Sequence, residues 1–171
     1  MTYSLTHLAA DIRETLKADT SVAGKEKVCG YVARALLDKA FIATHLKDRP
    51  KGAHPREVLY EDPELGFCIC GHVHDGPARG SPHDHGASWA IYGQATGVTE
   101  MTDWRIVEKG SGDKPTLVEP VKTYSMNPGD AHLFDVGDVH SPNRAAPVRL
   151  IRIEGRNLDH VRRSNIKAKQ A

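Results

Sequence analysis

The stretch GSPHDHGASWAIYGQATG, residues 80–97, decides how the chain is read. His83 and His85 stand two apart, so in extended chain both rings leave the same face. Trp89, Ile91 and Tyr92 favour a strand after them, and Gly97 ends it. A barrel strand can offer two imidazoles to one divalent ion in this way, and a third ligand would then come from another strand. PGDAHLFDVGDVHSPN, residues 128–143, supplies His140 just after a Gly-Asp turn. Imidazole donors suit Fe, Zn, Cu and Ni rather than Mg or Ca. A lone His-x-His occurs on surface strands by chance. Two such segments in this order, on a β-rich chain, are considerably more specific.

Outward from this segment, short β-like runs alternate with turn signals from Phe41 onward. The clearest are REVLY (56–60), GFCICGHVH (66–74), SWAIYGQATGVTEMTDW (88–104), TLVEPVKTY (116–124) and VRLIRIE (148–154). Glu-Asp-Pro, Asp-Gly-Pro, Lys-Gly-Ser-Gly-Asp and Pro-Gly-Asp separate them as turn formers. The front differs: all ten prolines lie beyond residue 49. There Leu5, Leu8, Ile12 and Leu16 share one helix face, and a second run from Val22 to Lys39 does the same with Val28, Val32, Ala35 and Leu36. Thr20 or Ser21 is placed to cap the second helix. The expectation is a mainly β chain: helices over residues 1–45 packing on the outside, a small closed barrel over 46–157, and a basic tail over 158–171 that stays solvated.

Composition narrows the function. The 171 residues suit one domain with a real core. A formal net charge of +1 argues against a general nucleic-acid binder. No run of apolar residues is long enough to span a bilayer. The opening MTYSLTHLAADIR lacks the basic start, apolar stretch and cleavage site of a secretory signal. Three cysteines, Cys29, Cys68 and Cys70, are too few and odd in number for a disulfide framework, so a reduced, cytoplasmic protein is expected.

The two histidine segments resemble the paired motifs of the cupin superfamily, the small double-stranded β-helix barrels. Gly80, His83, His85 and Gly97 match the first motif; Pro128, Gly129, His140 and Asn143 match the second. A typical cupin carries a Glu a few residues after the second His, where this chain has Ser88, Trp89 and Ala90. Within the superfamily, the missing carboxylate and the stretch from about residue 54 to 157 resemble the cysteine dioxygenase branch. The resemblance implies a mononuclear centre held by His83, His85 and His140, with Fe(II) as the leading cofactor and Zn, Ni or Mn as alternatives. It implies O₂ and a small anionic molecule as substrates, a thiol among the candidates, and Arg56 as the guanidinium that pairs with the substrate carboxylate. The branch also carries a Ser-His-Tyr arrangement on a late strand, where this chain has Leu150, Arg152 and Glu154.

His72 and His74 form a second His-x-His, and Cys68 and Cys70 continue their strand face. Matched to the family without gaps, both histidines fall on the pocket wall, where they would hydrogen-bond or move protons near neutral pH. Trp89, at the vacated carboxylate position, would shape the pocket. Asp84 or backbone carbonyls are candidate partners for the ligand rings' second nitrogens. The parity of the last run is open: if Arg152 and Glu154 face inward they form a buried pair, and Glu154 is then a candidate base or fourth ligand. Three functional classes remain: a non-haem iron dioxygenase, a non-redox isomerase, lyase or hydrolase using Lewis-acid chemistry, and a non-catalytic ligand-binding barrel. A homodimer through an exposed barrel edge or the helices is compatible with each.

Overall fold

The computed structural model describes residues 3–170. Three helices come first: α1 (Leu5–Ala18), α2 (Val22–Leu36) and α3 (Lys39–His45). Ser4 caps α1 by accepting from the His7 N–H, and Asp38 caps α3 through the Ala40 and Phe41 N–H groups. Ser21 occupies the cap position of α2 without a side-chain bond, and the predicted second helix ends earlier, with the Leu37–Asp38 turn opening α3.

Ten strands follow: β1 (Arg56–Glu61), β2 (Cys68–His74), β3 (Ala78–Arg79), β4 (Ala90–Thr96), β5 (Thr99–Glu108), β6 (Thr116–Met126), β7 (Ala131–Phe134), β8 (Val139–Arg144), β9 (Val148–Glu154) and β10 (Ile166–Ala168). They form two five-stranded sheets, ordered β1-β2-β9-β4-β7 and β10-β6-β5-β8-β3. The antiparallel pairs nest: β5 with β6, β4 with β7, β3 with β8, and β2 with β9. Pairing of β4 with β9 and of β5 with β8 stacks the turns of this long folded hairpin upon one another. That is the double-stranded β-helix, the cupin architecture, with a helical annex.

Apolar residues divide into two cores. Leu8, Ile12, Val28, Val32 and Leu36 of the helices pack against Ile69, Ile91, Ile151 and Ile153 on the outer face of the first sheet. Inside the barrel, Ala90, Tyr92, Met101, Met126, Phe134 and Leu150 form a second cluster. Gly93 permits the first contact: a Cβ there would come within 2.4 Å of Val32 Cγ1. Because helices cover its outer face, the first sheet is buried on both sides, and β2 and β4 are buried along almost their whole length. Ion pairs fasten the annex, Arg13 to Asp62 and Lys25 to Asp135, each at 2.7 Å. No helix among the described residues is long and apolar enough to cross a membrane.

The tail is mostly exposed, yet it is tied to the barrel rather than free. After β9 it turns through a short 3-10 helix (Leu158–His160) and crosses back over the barrel to add β10 in parallel to β6. Asp84 holds it by accepting from the Ser164 N–H and hydroxyl, and Gly86 (φ +59°) leaves room for it, since a Cβ there would lie 2.3 Å from the Arg162 carbonyl. The basic side chains remain exposed; short polar groups and backbone make the contacts, so counting charge did not reveal the strap.

Candidate metal centre

His83 and His140 face each other through a two-way backbone bridge, N to O at 3.0 Å in each direction. His83 therefore lies in extended chain rather than in a regular strand, and His85 follows just before the Gly86 turn. The three rings converge inside the barrel, with centroids separated by 4.6 Å (His83–His140), 4.9 Å (His85–His140) and 5.6 Å (His83–His85). One nitrogen from each lies within 4.8 Å of the others. His85 is 1% exposed and His140 fully buried.

The nitrogens are set up to donate electron pairs. His83 Nδ1 lies 2.8 Å from the Ser81 carbonyl, which fixes its proton there and leaves Nε2 free. Nδ1 of His85 and both nitrogens of His140 are buried with no hydrogen-bond partner among the described residues. Buried orphans of this kind are costly unless something binds them. Burial is also the main reason the rings stay neutral, holding His83 near 4, His85 near 3 and His140 well below the usual value. Neutral, convergent and otherwise unsatisfied imidazoles fit a divalent transition-metal ion. Phe134 stacks on His140 at 3.8 Å and steadies its ring. Of the two candidate partners for the ligand rings, a backbone carbonyl, that of Ser81, serves His83, and Asp84 holds the tail.

His83 forms part of the wall of a cavity of about 340 Å³, shared with His72, His74, Tyr92, Arg56, Arg144 and Arg152 and edged by Leu158 and Arg163 from the strap. His72 and His74 line it from β2. Burial holds His74 down to about 4 and His72 well below the usual histidine value. They are hydrogen-bonding walls, neutral at pH 7, and the expected proton traffic near neutrality is corrected by their dehydration. Cys68 and Cys70 lie buried on the same strand, their thiols pushed up to about 12 by burial.

Three further expectations change. Arg152 and Glu154 do face inward and pair, but Glu154 stands outside the ligand cluster. Burial alone would raise its carboxyl, yet Arg56, Arg152 and the Leu158 N–H together hold it down to about 2, so it is a fixed anion and not a base. Arg56 borders the cavity, but its fork is already spent: Nε and Nη2 donate to Glu154 at 3.0 and 2.8 Å, and Nη1 to Asp159 at 2.7 Å. Trp89 is on the other face of its strand, packed against the helical core with Lys25 above its ring. The turn at Gly86–Ala87 breaks the alternation that runs from His85, so the position of the missing carboxylate carries no pocket residue.

Two further members of the site carry no role in the sequence reading: Tyr92, legible only as a core or pocket-wall aromatic, and Arg144, which nothing singles out. Tyr92 places its hydroxyl 3.2 Å from His85 Nε2 and accepts from Arg152 Nη1 at 3.3 Å, linking the ligand cluster to the buried ion pair. Arg144 follows His140 and Pro142 at alternate positions of β8, the spacing that would have placed it on the same inner face.

No model of a known protein family and no curated protein matches the chain. Several solved structures are similar to it. KdgF from Halomonas sp. is 18% identical, with a TM-score of 0.48 over 66% of this chain and 92% of that one. A double-stranded β-helix protein from Klebsiella pneumoniae is 15% identical, with a TM-score of 0.48 over 70% and 85%. A cupin superfamily protein from Desulfitobacterium hafniense is 11% identical, with a TM-score of 0.45 over 66% and 84%. The barrel assignment stands on the nested strand pairing above.

Proposed function

We propose that the chain is a mononuclear non-haem Fe(II) dioxygenase acting with O₂ on a small anionic substrate. The observation that carries this reading is a ligand set of three neutral imidazoles with no carboxylate, opening on a cavity rich in arginine. Such a set leaves the ion its full 2+ charge and several open positions. Fe(II), when bound, would bring substrate and dioxygen together and pass electrons between them.

The remaining work falls to the chain. His83, His85 and His140 hold the ion, and the Ser81 carbonyl and Phe134 fix two of those rings. Arg152, kept charged by Glu154 and bonded to the Tyr92 hydroxyl, biases the cavity toward anions. His72 and His74 offer neutral hydrogen-bonding edges. Pro142 and Leu158 add apolar surface to its wall. For a thiol the overall balance closes without another reductant: RSH plus O₂ gives RSO₂H, with sulfur losing the four electrons that oxygen gains.

The test is oxygen consumption by iron-loaded protein offered cysteine, 3-mercaptopropionate and small diketones, with product analysis by mass spectrometry. Oxygen uptake with matching oxygenated product is expected, and no uptake with any of them would remove the support for a dioxygenase. The Arg152–Glu154 pair motivates one rival, because it occupies the late-strand positions where the thiol dioxygenases carry other groups. Turnover that persists under strict anaerobiosis, with Zn, Ni or Mn in the site, would favour that non-redox reading.

A further inference from the structure

We propose that Arg144 is the anchor that receives a carboxylate on the substrate, which makes the substrate a small carboxylic acid. This rests on reading the cavity as the substrate site of the enzyme proposed above.

Arg144 is only 7% exposed, and its Nε is buried without a hydrogen-bond partner among the described residues. Its side chain lines the cavity with His72, His74 and Arg152. The carboxylates nearby are already committed, Glu154 to Arg56 and Arg152, and Asp159 to Arg56. Arg163, the other cavity arginine, is exposed on the strap. Arg144 is thus the buried cation left without an anion. A buried guanidinium in that state is unfavourable, and a folded chain that keeps one gains from it only when an anion arrives.

A second orphan stands in the same wall. Nε2 of His72 is buried without a partner, and the charge of Arg144 is among those felt by both His72 and His74. One free planar fork and one free imidazole match the two oxygens of a carboxylate, whereas a phosphate would leave an oxygen unserved. Arg144 lies on the strand that also carries His140, so an acid held there extends along the inner face of β8 toward the ligand cluster.

Calorimetric titration of the full chain with propionate, beside inorganic phosphate, tests the proposal. Wild type is expected to bind propionate at one site and to prefer it to phosphate. Arg144→Gln should weaken propionate about tenfold or more, Arg144→Lys less, because the charge remains while the fork is lost. Arg105→Gln removes an exposed arginine on the second sheet and should leave binding within about twofold. Because Arg144→Gln sheds an unpaired buried charge, its urea midpoint should equal or exceed that of wild type. Undiminished propionate binding by Arg144→Gln overturns the proposal, as does no propionate binding by wild type at millimolar concentration, or a preference for phosphate. Repeating the titration in a His83→Ala background separates the two readings. Arg144-dependent binding that survives there stands even if the ion assignment fails, and a chain that holds its ion while ignoring Arg144 fails on the anchor alone.

Discussion

Glu154 shows how one side chain can be read in opposite ways. In sequence it is an acid of open facing two residues beyond an arginine: a buried base or ligand if it points inward, a wet surface charge if it points out. In the structure it closes a buried ion-pair network with Arg56 and Arg152. Replacing it with Gln strands two largely buried guanidinium groups, and a loss of about 3 kcal/mol or more is expected in urea unfolding. The network also has a pH signature. With its carboxyl held down to about 2 in the fold, against roughly 4.3 when unfolded, ionised Glu154 stabilises the native state above the higher value. That contribution drains away as pH falls from about 4.5 toward 2. Wild type should therefore lose stability over that window more steeply than Glu154→Gln, as equilibrium unfolding at several pH values will show. The histidines were legible because their chemistry is rare and their spacing fits one face. Arg144 and Tyr92 were not, because an arginine or tyrosine on a strand has many uses, and only the partners it lacks or finds in three dimensions single it out.

The elements were legible where one periodicity ruled. Helices α1 and α2 announced their apolar stripes, and β1, β2, β4, β5, β6 and β9 stood between good turn formers. Strand β9 kept its facing hidden because helices cover one side of its sheet and the barrel interior the other, so alternation of polar and apolar residues stops reporting which side is in. Strand β8 is foreseen only as the strand that brings His140; Pro142 within it masks how far the strand runs, to Arg144. The strap was missed because its hold depends on Asp84, Ser164 and the space left at Gly86. Gly86→Ala adds a side chain at positive φ directly under the Arg162 carbonyl, so about 1–3 kcal/mol of destabilisation is expected. Limited proteolysis should then cleave the residues after Glu154 faster than in wild type, and unchanged cleavage would show that the strap does not depend on that gap.

At the scale of the whole molecule, the helices cover one sheet from outside while the ligands converge within the barrel, with His85 and His140 buried and His83 half-buried at the cavity wall. One consequence reaches all three cysteines, which are free and buried, with thiols pushed up to about 12. The native protein should resist thiol reagents at pH 8, and all three should react once it is unfolded; a fast-reacting thiol in the native state would contradict the packing. Everything functional depends on the ion that the convergent imidazoles imply. The direct measurement is elemental analysis of protein purified without added metal, beside His83→Ala and His140→Ala. About one transition-metal ion per chain is expected in wild type, with little or none in either variant. Equal metal content in all three would contradict the site.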